Sequence, residues 1–193
     1  NIFRILVNST CSILYLIRIP MKYLLLCLLA TLSVFNASAT VYFVDSKLTS
    51  TCKNSYSIAQ RSCSGNDGTA YSTLAEAAAS AVAGDTVFIR EGTYNQQLAP
   101  KNSGTENAPI TFKNYQQEVV LLTGAALNPA IWIDRKHYII IDGLTVANVT
   151  HWMSALGATH ITLQNCTFKN ATDPAGSSKT GIFFQNSNYN SII

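Results

Sequence analysis

The chain has 193 residues, 48% of them apolar and 12% charged, a composition that fits a folded domain and excludes the disordered class. Its formal charge of +3 comes from Arg4, Arg18 and Lys22, all ahead of residue 40. From Thr40 onward acids and bases are equal in number, which excludes the basic footprint of a nucleic-acid or membrane-surface binder.

Met21-Lys22 opens a stretch with a basic start, an apolar run from Tyr23 to Leu32 and the small residues Ala37-Ser38-Ala39. This is the pattern of a secretory signal peptide over 21–39, cut after Ala39. The apolar run is shorter than the roughly 20 residues a membrane span needs, so no membrane attachment is expected after cleavage. Residues 1–20 carry no initiating Met and read as a leader upstream of the true start. The expected destination is extracellular or periplasmic, where disulfides persist.

Residues 40–85 read as an N-terminal cap. The run "TVYFVD" is β-type, and Cys52 and Cys63 then flank a short polar loop. A Cys52–Cys63 bridge is expected, contributing about 2–3 kcal/mol by the chain-entropy argument. No His lies near the pair to complete a metal site, so no metal is assigned. The spacing Thr73 to Glu76 is that of a capping box, and Leu74, Ala77, Ala78 and Ala81 recur on one helical face. A helix over 73–83 is predicted, with Gly84 as its C′ residue. Its small side chains require close approach to whatever it covers, and an open sheet end would suit it.

Residues 86–193 carry short β-rich runs: "TVFIREGTY", "PITFKNY", "EVVLLTG", "AIWI", "YIIIDGLTV", "HITLQNCTF" and "GIFFQNS". Short strands fit a sandwich or a barrel as well, so repetition decides. His137 to Asn148 overlays Thr159 to Asn170 at a constant offset of 22 residues. Ile139 then matches Ile161, Ile141 matches Leu163, Leu144 matches Cys166, Val146 matches Phe168, and Asn148 matches Asn170. A third copy is expected to place Ile192 opposite Ile161, with Thr172 to Thr180 looped out. Gly143 and Asn165 fall at a single-residue bend between two strands, where both residue types tolerate left-handed backbone.

The period and bend predict an all-β fold, a right-handed parallel β-helix whose coils stack into an aliphatic ladder and an asparagine ladder. The 73–83 helix and the disulfide loop would cover its N-terminal end. About four to five rungs are expected, cut short at Ile192-Ile193 inside a strand. Leucine-rich repeats share the period but lack this bend.

"STLAEAAASAVAGDTVFIREGTY" and the following "NSGTENAPITFKNYQQEVVLLTG" resemble the opening of the pectate-lyase-like superfamily, including chondroitinase-B-type and alginate lyases. The resemblance covers about Thr73 to Ile193. It implies an exported protein whose partner is acidic polysaccharide, and, in a complete protein, β-elimination at a uronic acid with Ca²⁺ or cationic side chains offsetting the carboxylate. No lyase catalytic residue matches this chain by motif, so the catalytic positions are unassigned. A non-catalytic surface or adhesion protein is the alternative, followed by a glycoside hydrolase, which needs a carboxylate pair.

The dense polar cluster Asp134-Arg135-Lys136-His137 would meet an anionic sugar or form a solvated turn, and Trp152, beside His151, would stack on a sugar or anchor its loop. His160 aligns with Tyr138 as a corner residue. Asp85 and Asp142 adjoin Gly at turns, where local backbone hydrogen bonding accounts for them. Cys166 reads as a small apolar residue. The sequons at Asn148, Asn165 and Asn170 sit at ladder positions and take a structural role.

Overall fold

The computed structural model describes residues 38–172 and 181–193. The expected leader, nearly all of the expected signal segment and most of the 172–180 insertion lie outside the described residues.

Among the described residues, fourteen strands and one α-helix follow in order: β1 (Val41–Val44), β2 (Thr69–Tyr71), α1 (Leu74–Ser80), β3 (Thr86–Ile89), β4 (Gly92–Tyr94), β5 (Ile110–Asn114), β6 (Val120–Gly124), β7 (Ile131–Asp134), β8 (His137–Asp142), β9 (Thr145–Val149), β10 (Met153–Leu156), β11 (Thr159–Gln164), β12 (Thr167–Ala171), β13 (Ile182–Gln185) and β14 (Ser191–Ile192). They form three sheets, ordered β14-β11-β8-β5-β3-β1-β2, β12-β9-β6-β4 and β13-β10-β7. Every pair of these strands is parallel. The chain visits the sheets in rotation, so each coil lies on the one before it. The result is a β-solenoid of about six turns.

The register pairs Ile139 with Ile161, Ile141 with Leu163 and Val146 with Phe168, the 22-residue offset read from the sequence. Ile110 and Phe112 continue the first two columns one coil earlier. Ile139, Ile141, Leu144, Val146, Ile161 and Leu163 are buried, while Cys166 and Phe168 pack half-buried against the same core. The C-terminal copy differs from expectation. Ile192 stands opposite Leu163 instead of Ile161, and the Asn190 side chain takes the Ile161 amide at 2.9 Å. The last coil is therefore shorter than the overlay required, with a polar side chain standing where an aliphatic one was expected.

Corners form where the backbone turns left-handed. Gly143 (φ 72°) and Asn165 (φ 53°) share one corner, and Asn148 (φ 54°) and Asn170 (φ 51°) share the next, where Asn170 Nδ2 donates to Asn148 Oδ1 at 3.2 Å. Tyr138, His160 and Tyr189 share a third, at φ 55–57°. Their rings stack at 4.3 and 5.0 Å.

At the N-terminal side, β1 and β2 join the seven-stranded sheet, so residues 40–85 supply two of its strands. Thr73 Oγ1 accepts the Glu76 amide and donates to the Glu76 carboxylate at 2.7 Å. The helix ends at Ala81, short of the expected stop at Gly84. Asp85 takes the Val82 amide at 2.8 Å, and Asn102 Nδ2 donates to the Ala79 and Ala81 carbonyls at 3.2 and 2.8 Å. These partners satisfy groups that another helical turn would otherwise use. Leu74, Ala77, Ala78 and Ala81 join the main core. Cys52 and Cys63 are disulfide-bonded.

Candidate functional site

One row of side chains crosses the outer face of the seven-stranded sheet, coil by coil: Phe43, Phe88, Lys113, Asp142 and Gln164. Strand alternation explains it, since Ile141 and Leu163, one residue earlier, point inward. Beside the row runs the corner, with Asn114, Gly143 and Asn165. A groove of about 680 Å³ lies along these rows, lined by Phe88, Lys113, Asn114, Asp142, Gly143 and Asn165, with Gln116 and Gln117 as its wall.

Lys113 Nζ stands 3.3 Å from Asp142 Oδ2, and Asn165 Nδ2 donates to Asp142 Oδ1 at 2.8 Å. Burial works to raise the Asp142 pKa, but hydrogen bonds from Asn165, Gln164 and Lys113 outweigh it and hold the carboxyl below the usual range. Asp142 thus bonds to the coils on either side of it, not within its own turn as the sequence suggested. A Cβ at Gly143 would displace the Asn114 side-chain amide, which lies over the corner to reach the Glu118 carbonyl at 3.0 Å.

The wall hangs from a buried charge network. Arg90 grips Glu118 through two contacts of 2.8 Å, donates to the Tyr56 hydroxyl and the Ile58 carbonyl at 2.9 Å each, and lies 4.8 Å above the Tyr115 ring. Tyr56 donates to Asp45 at 2.6 Å. Arg61 grips the same carboxylate at 2.6 and 2.9 Å and reaches Glu91 at 2.7 Å. Asp45 is fully buried. Burial alone would raise its pKa, yet bonds from Arg61 and Tyr56 bring it below the ordinary value. Burial and the Asp45 carboxylate push the Tyr56 phenol up. No sequence signal marked this network, because its partners stand 11 to 34 residues apart.

The candidates read from the sequence fall elsewhere. Asp134 and Arg135 pair with each other at 2.8 Å, with Arg135 well exposed. His137 Nδ1 meets Thr159 Oγ1 at 2.9 Å, and its amide donates to Ser103. Lys136 lies between them at the corner joining β7 to β8. Trp152 sits at the other end of the third-sheet strands, just before β10, where it packs on Phe168 and donates from Nε1 to the Lys169 carbonyl at 3.2 Å. The cluster and Trp152 are therefore not brought together. Cys166 is a free thiol whose pKa is raised by burial.

Among the described residues, no three His, Cys, Asp or Glu side chains converge as metal ligands would. The groove carboxylate Asp142 faces a lysine, an arrangement that does not fit calcium.

No family model matches the chain, and no solved structure matches it. Over 94 residues, 44% of this chain, it is 45% identical to the uncharacterized protein YwoF of Bacillus subtilis (strain 168). The matched segment is 20% of that protein, so the chain spans about a fifth of the length of this curated relative.

Proposed function

We propose that this chain is part of an exported, right-handed β-helix protein that binds or acts on extracellular polysaccharide. In this reading α1 and the disulfide loop form its N-terminal cap, and the Phe88–Lys113–Asp142 groove contacts the sugar chain. One observation carries the proposal: the groove runs along the stack and combines an aromatic ring with a dense set of amides and one ion pair. Sugar hydroxyls need closely spaced donors and acceptors, and sugar C–H faces pack on aromatic rings. A solenoid repeats its surface groups along one axis, which matches a repeating polymer.

For the complete protein the leading reading is a polysaccharide lyase on uronic-acid glycans. Proton abstraction next to a carboxylate needs a base and a cation on opposite sides of one sugar. Here Lys113 and Asp142 spend their charges on each other, so the base belongs to another part of the protein. The same pairing favours a second reading, a non-catalytic surface protein that holds glycans. A glycoside hydrolase needs two carboxylates facing the sugar, and among the described residues Asp142 is the one carboxylate lining the groove.

The full-length protein incubated with alginate, pectate or chondroitin, with and without Ca²⁺, is expected to generate the absorbance of an unsaturated uronide. Retention on a glycan column without that absorbance would select the surface-protein reading. Neither cleavage nor retention on any glycan would remove the polysaccharide proposal altogether.

A further inference from the structure

We infer that cleavage between Ala39 and Thr40 creates the ion-pair partner of a buried carboxylate, the new α-ammonium of Thr40 docking on Asp85. The inference rests on the export reading and adds to it a receptor for the mature N-terminus.

Asp85 is 1% exposed. Its Oδ2 accepts the Val82 amide at 2.8 Å, and its Oδ1 accepts the Thr40 amide at 2.8 Å across 45 residues of chain. Among the described residues no side-chain cation pairs with it. Two amides meet its oxygens, but a buried charge is held best by an opposite charge. The Thr40 nitrogen already occupies the place where that charge would lie.

Three observations keep it there after cleavage. The Thr86 amide donates to the Thr40 carbonyl at 3.0 Å, Val41 pairs with Thr86 in the β1–β3 ladder, and the Asp85 carbonyl accepts the Thr111 amide at 3.0 Å. None involves residues 38 or 39. Cleavage removes one exposed contact, Thr40 Oγ1 to the Ser38 carbonyl at 3.4 Å. Ser38, Ala39 and Thr40 are all exposed, so the new amine opens toward solvent on one side and the carboxylate on the other.

The step is a hydrolysis by a signal peptidase. Water adds across the Ala39–Thr40 amide, the new carboxylate leaves with Ala39, and the freed amine takes up a proton. An ammonium held by Asp85 titrates above the ordinary α-amine range of about 7.7–8. Its stabilisation is complete below that range and is lost as pH rises through the folded value. The titratable neighbours are Tyr42, raised by burial and by the Asp85 charge, Tyr71 beside the Tyr42 ring, and Glu106 in the turn whose Ala108 carbonyl takes the Gly84 amide.

N-terminal sequencing of the exported full-length protein is expected to read Thr40 first, and another first residue overturns the assigned cleavage. The docking is tested separately on full-length protein whose Thr40 amine is freed by a protease that leaves no extra residue. At pH 6.5, well below the α-amine range, an amine-reactive ester, followed by mass spectrometry, should acylate this amine about tenfold more slowly than in Asp85→Asn, since there one pKa unit is a factor of ten in free amine. A chain beginning at Ala39 keeps Asp85 but displaces the amine, and should react at the fast rate. Equal rates for the Thr40 and Ala39 chains would overturn the docking, whether or not Asp85→Asn folds.

Discussion

The two ends of this solenoid hold themselves together by different means. In the repeating coils, 137–171, like residues stand over like, and an aliphatic ladder with left-handed corners carries most of the packing. Around the loop of residues 45–68 nothing repeats. That region relies on a disulfide, an aromatic cluster of Phe43, Tyr56, Phe88 and Tyr115, and a charge network joining Glu91, Arg61, Asp45, Tyr56, Arg90 and Glu118. A ladder distributes stability over many interchangeable contacts, whereas a network concentrates it in a few partners that have no substitutes.

The largest test of that contrast is Asp45→Ala. It leaves Arg61 buried without its carboxylate, and the expected loss is about 3–5 kcal/mol, read as a shift in the urea midpoint of the full-length protein. Ile141→Val in the ladder should cost about 0.5–1.5 kcal/mol. Similar losses at the two positions would erase the distinction. Replacing Cys52 and Cys63 with Ser is next, at about 2–3 kcal/mol, with hydrogen exchange rising within 52–63 and not in β8 or β11.

Gly143→Ala probes a corner of the coils that touches Asn114, whose amide reaches Glu118 of the network. The left-handed backbone alone costs about 1–2 kcal/mol, and the contact with Asn114 should displace that side chain from the Glu118 carbonyl. Asn165→Ala, which spares the glycine, should leave Asn114 in place, a difference that amide chemical shifts would register.

The smallest effect is electrostatic. Asp45 and Glu118 in the network, against the one carboxylate Asp142 in the coils, are held below ordinary carboxylate values. A depressed folded pKa contributes stability that is complete above the unfolded value, about 3.9–4.3, and is lost as pH falls through the folded one. Acid should therefore open the 45–68 loop before the coils, seen as protease nicking in 52–63 while 137–171 stays protected. Simultaneous opening would show that the two regions are a single cooperative unit.

Much of the solenoid was readable because its physics is periodic. The 22-residue offset, the Gly143/Asn165 corner and the Asn148/Asn170 ladder all follow from like residues recurring, which a linear sequence displays directly. Strand β10 was not readable. "MSAL" has little β-branched character, and only its register with Ile131–Asp134 makes it a strand. Helix α1 was legible at its start, where Thr73 and Glu76 are local, and not at its end, where Asn102 decides.

The candidate site divides along the same line. The sequence pointed to 134–137 and Trp152 because charge and aromaticity stand out in a linear string, but the groove forms from Phe88, Lys113, Asp142 and Asn165, which draw no notice one by one. Sequence alone determined the repeat, its corners and the pairing of Cys52 with Cys63, since each depends on short-range spacing or like-on-like recurrence. Only tertiary structure decided the groove, the network from Glu91 to Glu118 and the meeting of Thr40 with Asp85. Each of these joins unlike residues from different coils, whose mutual attraction leaves no periodic trace in the chain.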